Sequence, residues 1–129
     1  MNVLFVCIGN SGRSVMAERL FRRAVDGRHE ARSAGAAASG TAAEPTVLEA
    51  LRELGIDASD HVPRHLDDDA LAWADVAVAV CPYDVCPETP GVRRIGWPVD
   101  DPYERPIEEV RVIRDGILGR VEQLVAELR

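Results

Sequence analysis

The chain has 129 residues, 47% hydrophobic and 29% charged, which suits one domain over 1–129 and excludes disordered or fibrous classes. Its net charge of −7, from 22 acidic and 15 basic residues, disfavours nucleic acid and membrane as partners, so an anionic substrate needs a local positive site. Three cysteines make no secreted disulfide framework, no apolar run nears the roughly 20 residues that span a bilayer, and a strand-like run follows Met1 directly; the cytoplasm is the expected compartment.

Residues 2–6 (NVLFV) read as a short strand buried on both faces, as in a parallel sheet. From Ser14 a helix is predicted, with Val15, Met16, Leu20, Phe21, Ala24 and Val25 opposite Glu18, Arg19, Arg22 and Arg23. HEARSAG (29–35) is a weaker strand, and AAASGTAA is a loop. Glu44 to Leu54 predicts a helix with Pro45 in its first turn and Gly55 as its stop. LDDDALAWA fits a short helix with an acidic cap, DVAVAV (75–80) a buried strand, and RRIGW a fourth strand. Prolines 82, 87 and 90 with Gly91 make the stretch after Cys81 a loop. Ile107, Val110, Ile113, Ile117, Val121, Leu124 and Leu128 keep helical spacing to the end. Strands alternating with helices predict an α/β sandwich around a parallel sheet.

The first strand ends in CIGNSGRS, residues 7–14. Ligands of such folds lie beyond the carboxyl ends of the strands, where this loop sits. Ile8, Gly9, Asn10, Ser11 and Gly12 supply backbone N–H groups that can form an oxyanion nest at a helix N-terminus, and Arg13 adds a fork for two oxyanion oxygens. The same positive surroundings favour the thiolate of Cys7; Ser14 can donate to that sulfur and Asn10 can brace the loop. A soft nucleophile, a cradle and a cation are the parts of nucleophilic group transfer to sulfur. A leaving group also needs a proton, and WPVDDPYERP places Asp100 and Asp101 before a proline. Zinc is not expected, because two further cysteines are half a site and His29, His61 and His65 show no partner spacing.

Cys7-x5-Arg13-Ser14, together with SAG (33–35), ELGID (53–57), ADVAVAV and DDPY (100–103), resembles the low-molecular-weight protein tyrosine phosphatases and the arsenate reductases of that fold. The resemblance covers essentially the whole chain. It implies a three-layer sandwich with a central four-stranded parallel sheet, Cys7 as nucleophile, Arg13 and Ser14 as its partners, and Asp101 as general acid. On the reductase branch Cys7 attacks arsenate and a second thiol resolves the adduct; Cys86 and Cys81 are the candidates, in a loop able to move. Thioredoxin, mycothiol or glutathione would then serve as external reductant, with no bound cofactor and no metal. Phosphatases line the pocket mouth with aromatics; here AAASGTAA has none and only Tyr103 remains at the rim, which favours a small oxyanion over a phenyl ring.

Two departures mark this chain. Gly12 replaces a usual cysteine, as in arsenate–mycothiol transferases, and Arg64 stands where thioredoxin-coupled reductases place an acidic residue at a potassium site. The expectation is thus a cytoplasmic, monomeric arsenate reductase; the alternative is a tyrosine phosphatase acting through a Cys7-phosphate. A third reading, a non-catalytic oxyanion sensor or phospho-carrier, uses the same loop.

Overall fold

The computed structural model describes residues 1–82 and 86–128. Along the chain run β1 (Asn2–Cys7), α1 (Arg13–Val25), β2 (Glu30–Gly35), α2 (Pro45–Arg52), α3 (Asp68–Trp73), β3 (Val76–Ala79), β4 (Arg93–Gly96) and α4 (Ile107–Glu127). The strands form one parallel sheet in the order β2-β1-β3-β4. After β1 the chain crosses to one neighbour and later to the other, so the space beyond β1 and β3 is the topological switch point where such sheets bind ligands.

Alternation along the strands divides the core. Val3, Phe5, Val76, Val78 and Val80 face α1, α2 and α4 in the larger cluster, whereas Leu4, Val6, Ala34 and Ala79 face Leu66, Ala70, Leu71 and Trp73 around α3. Helices on both faces give the expected three layers. The predicted strand 75–80 is assigned as four residues, yet Asp75 N still donates to Asn2 O and Val80 N to Val6 O. The short helix takes its cap from Asp67, whose Oδ1 accepts from Ala70 N at 2.8 Å. Trp97 is buried and packs on Phe5, with ring centroids 5.9 Å apart.

The helix predicted for 44–54 stops at Arg52, and Gly55 at φ 79° lets Ile56 N return to Leu51 O. The apolar stripe of α4 carries a residue that hydropathy alone hides. Arg114 is buried, donating through Nη1 to Ala50 O at 2.9 Å and reaching Glu53 Oε1 at 2.6 Å. Arg111 also grips Glu53, and both arginines hold its carboxyl below the usual range. The pair therefore pins α2 to α4.

SAG at the end of β2 now has a physical reason. Gly35 lies beside Cys7 in the register, and a Cβ added there would run into the carbonyl oxygen of Ile8 and come within 2.9 Å of Asn10 N. Those are backbone atoms of the CIGNSGRS loop and cannot swing aside. Gly35→Ala should therefore cost about 1–3 kcal/mol in urea unfolding, as overpacking does, and lower turnover by displacing the loop. Wild-type stability in that variant would contradict the close approach.

Candidate active site

Cys7 ends β1 and α1 begins at Arg13, so the five residues between them must reverse direction over the edge of the sheet. Asn10 makes the turn in the left-handed region at φ 52°, a conformation asparagine tolerates better than most residues. Apart from that of Gly9, the loop's carbonyls are taken up elsewhere. Cys7 O accepts from Ala36 N, Ile8 O from Ala37 N, Ser11 O from Glu44 N, and Gly12 O from Met16 N. Asn10 O lies 2.7 Å from His61 Nε2; a carbonyl only accepts, so that nitrogen carries the hydrogen. With the carbonyls outside, the N–H groups face in. Among the described residues, those of Ile8, Gly9, Ser11 and Gly12 find no protein acceptor.

The sulfur of Cys7 sits at the floor of this ring. Asn10 N donates to Sγ at 3.3 Å, and Ser14 Oγ lies 2.9 Å from it. The proton direction follows from the neighbours. Arg64 N donates to Asn10 Oδ1 at 2.8 Å, which aims Asn10 Nδ2 at Ser14 Oγ, also 2.8 Å away. Having accepted there, the serine hydroxyl turns its own hydrogen to the sulfur.

Arg13 is buried, with Nη1 donating to Val99 O at 3.1 Å and Nη2 lying 3.8 Å from Asp101 Oδ2. The segment before α4 thus sets the guanidinium over the loop. Asp101 is 59% exposed, and its Oδ1 accepts from Tyr103 N at 3.0 Å. Cys7 through Arg13 line one cavity of about 510 Å³ together with Ala37, Glu44, Asp101 and Tyr103. Tyr103 stands at the rim, 61% exposed, with its hydroxyl pKa raised by nearby carboxylates, Glu104 first.

Cys81 and Cys86 do not line that cavity. The structure joins them in a disulfide with Cα atoms 5.6 Å apart, so the two thiols expected from the sequence are held in their oxidised form. Cys81 lies just past β3, at the same sheet edge as Cys7, and shares with Ala79 the α3 side of the sheet, opposite to Phe5. It is buried, whereas Cys86 is half-buried against Leu4, Val6 and Ala34. The movable loop expected around Cys86 includes residues 83–85, which lie outside the described residues.

Arg64 contributes its backbone N–H to Asn10, and its side chain borders a cavity with Arg19, Arg22 and Arg32 against the carboxylates of Glu18 and Asp60. Four guanidiniums against two carboxylates do not fit a potassium ion. No cluster of three His, Cys, Asp or Glu converges among the described residues.

Sequence reasoning missed two residues here. His61 showed no spacing motif, and its role depends on a contact 51 positions away in sequence. Glu44 read only as a helix start, yet it borders the cavity, half-buried, with its carboxyl pKa raised mainly by burial and then by Asp101.

A buried thiol, unpaired loop N–H groups and a guanidinium lining one cavity are parts able to bind a tetrahedral oxyanion and attack it. Residues 2–129 match the low molecular weight phosphotyrosine protein phosphatase family, and the chain belongs to it, on the branch that includes arsenate reductases. It is 37% identical to an arsenate reductase of Brevibacillus brevis over 124 residues, covering 94% of this chain and 91% of that one. A thioredoxin-dependent arsenate reductase of Corynebacterium glutamicum superposes with TM-score 0.80 at 35% identity, over 98% of this chain and 60% of the longer relative. An arginine phosphatase of Geobacillus stearothermophilus superposes with TM-score 0.86 at 28% identity, over 98% and 92% of the two chains.

Ser14→Ala removes a donor to a charged sulfur, worth about 1.5–3 kcal/mol. The expected result is a fall of about 10- to 100-fold in kcat/KM with the fold intact, measured on an aryl phosphate. An unchanged rate would show that Ser14 does not hold the sulfur.

Proposed function

We propose that this enzyme reduces arsenate. Arsenate enters the ring, its oxygens taking the inward N–H groups and the Arg13 fork. The Cys7 thiolate forms a bond to arsenic, and one arsenate oxygen departs as water with a proton from Asp101. A thiol of the Cys81/Cys86 pair then bonds to Cys7 Sγ. The electron pair of the sulfur–arsenic bond stays on arsenic, which leaves as arsenite. The partner thiol closes the Cys81–Cys86 disulfide and returns Cys7 as thiolate. Two electrons enter arsenic and two thiols become one disulfide, so the step balances.

The observation that carries this reading is the Cys81–Cys86 disulfide itself, a two-electron store at the sheet edge that also bears the oxyanion loop. The composition of the cavity wall supports it as well: among the described residues no aromatic side chain apart from Tyr103 lines it, which suits a small oxyanion. An external thiol must reopen the disulfide. Cys86 is its less buried sulfur and the natural point of attack. Thioredoxin is the first reductant to test, given the Corynebacterium relative, with mycothiol and glutathione beside it. The reading places the enzyme in the cytoplasm, as a monomer; no helix among the described residues is long and apolar enough to cross a membrane.

The second reading, hydrolysis of phosphate monoesters through a Cys7-phosphate, is favoured by Tyr103 at the rim beside Asp101. The two separate cleanly by mutation. Cys86→Ser should abolish arsenite formation with every purified reductant and leave aryl phosphate hydrolysis largely unchanged. Arsenite production that survives loss of both Cys81 and Cys86 would contradict their resolving role, and absence of arsenite with every thiol donor would contradict the reductase reading.

A further inference from the structure

Asp101 is not the only carboxyl over the nucleophile. Glu44 caps the start of α2, and its backbone N–H is tied to Ser11 O, which fixes it against the loop. Its Oε1 lies 3.9 Å from the point where a Cβ on Gly12 would stand, while Pro102, beside Asp101, closes on the same glycine. Glu44 and Asp101 therefore line one cavity together with Cys7 and Arg13.

The two carboxyls are not equivalent. Both oxygens of Asp101 are occupied, one near Arg13 Nη2 and one on the N–H of Tyr103, and the side chain is well exposed. Glu44 is half-buried and makes no ion pair among the described residues. Burial raises its pKa first and the Asp101 charge second; Arg13 and the Ser11 hydroxyl pull the other way without reversing the direction. A carboxyl so placed keeps its proton further toward neutral pH, the condition for a general acid.

Resting on the oxyanion chemistry proposed above, we infer that Glu44 is a second proton donor of this site, protonating the departing oxygen alongside Asp101. With an aryl phosphate, the sulfur–phosphorus bond forms as the phosphorus–aryloxide bond breaks, and the aryloxide takes the Glu44 proton. Hydrolysis of the Cys7-phosphate then returns a proton from water to the carboxylate. With arsenate the departing oxygen leaves as water by the same donation.

The test compares phenyl phosphate with p-nitrophenyl phosphate in wild type, Glu44→Gln, Asp101→Asn and the double variant, with Cys7→Ser as the control. An acid matters most for the poorer leaving group. In Glu44→Gln the ratio of kcat/KM for phenyl over p-nitrophenyl phosphate should fall about tenfold, within the range of general-acid effects. Both substrates are measured on one preparation, so any loss of folded protein cancels from the ratio. The double variant should lose more than the product of the single losses, because each carboxyl substitutes for the other. In Asp101→Asn the remaining activity should fall as pH rises through a limb above the usual carboxylate range, since burial, the larger cause, persists there. That limb should vanish when Glu44→Gln is added. An unchanged ratio, or a rise on both substrates from removing a negative charge, would overturn the proposal. Absence of any Cys7-dependent turnover in wild type would instead overturn the nucleophile reading, and this proposal with it.

Discussion

The structure depends on one constraint: the loop from Cys7 to Gly12 must keep its carbonyls out so that its N–H groups can point in. Donors from four regions enforce this. The segment after β2 takes Cys7 O and Ile8 O, the buried ring of His61 takes Asn10 O, the start of α2 takes Ser11 O, and the first turn of α1 takes Gly12 O. An unpaired buried amide is costly, so a loop that leaves its N–H groups free for a guest is held in place by the five carbonyls that are satisfied. The same ties set the reactive groups. Asn10 cannot swing, because Arg64 N holds its oxygen, and Ser14 cannot turn from the sulfur, because Asn10 holds it.

This constraint resolves an apparent conflict of charge. A chain of net −7 is poorly suited to attract oxyanions as a whole. Its site works by local means: oriented dipoles, the N-terminus of α1 and one buried guanidinium. On the proposed mechanism, the acidic residues of the cavity, Asp101 and Glu44, carry protons without having to gather substrate. The opposite arrangement stands beside α1, where Glu18 is buried against Arg22 at 2.9 Å and Ser33 Oγ at 2.6 Å, holding helix to edge strand.

Much of this was legible in the sequence because it is encoded locally. The spacing of Cys7, Arg13 and Ser14 is short enough for one loop and one helix turn to realise it, and the apolar stripes place the layers without further information. The α/β sandwich with its four parallel strands follows from alternation of elements, whereas the choice of Asp101 over Asp100 as general acid rests on the family resemblance. What escaped is long-range. His61, Arg64 and Glu44 meet the loop across 33 to 54 positions, and no local pattern in an asparagine-binding backbone or a helix-capping glutamate announces it. Arg114 hid inside an apolar stripe for the same reason: its partners, Ala50 and Glu53, belong to another helix. Cys81 and Cys86 were visible as a pair at the right edge, but their union in a disulfide on the α3 side of the sheet depends on packing that no local pattern encodes.

The central claim is that Cys7 is a reactive thiolate inside an oxyanion cradle completed by Arg13. Its most direct measurement is alkylation of Cys7 by iodoacetamide in the folded enzyme, read by mass spectrometry, with and without arsenate or phosphate. The account predicts rapid modification of Cys7, protection that grows with oxyanion concentration, and loss of that protection in Arg13→Ala. A Cys7 that resists alkylation in the native state, or that reacts equally fast with the oxyanion present, would contradict it.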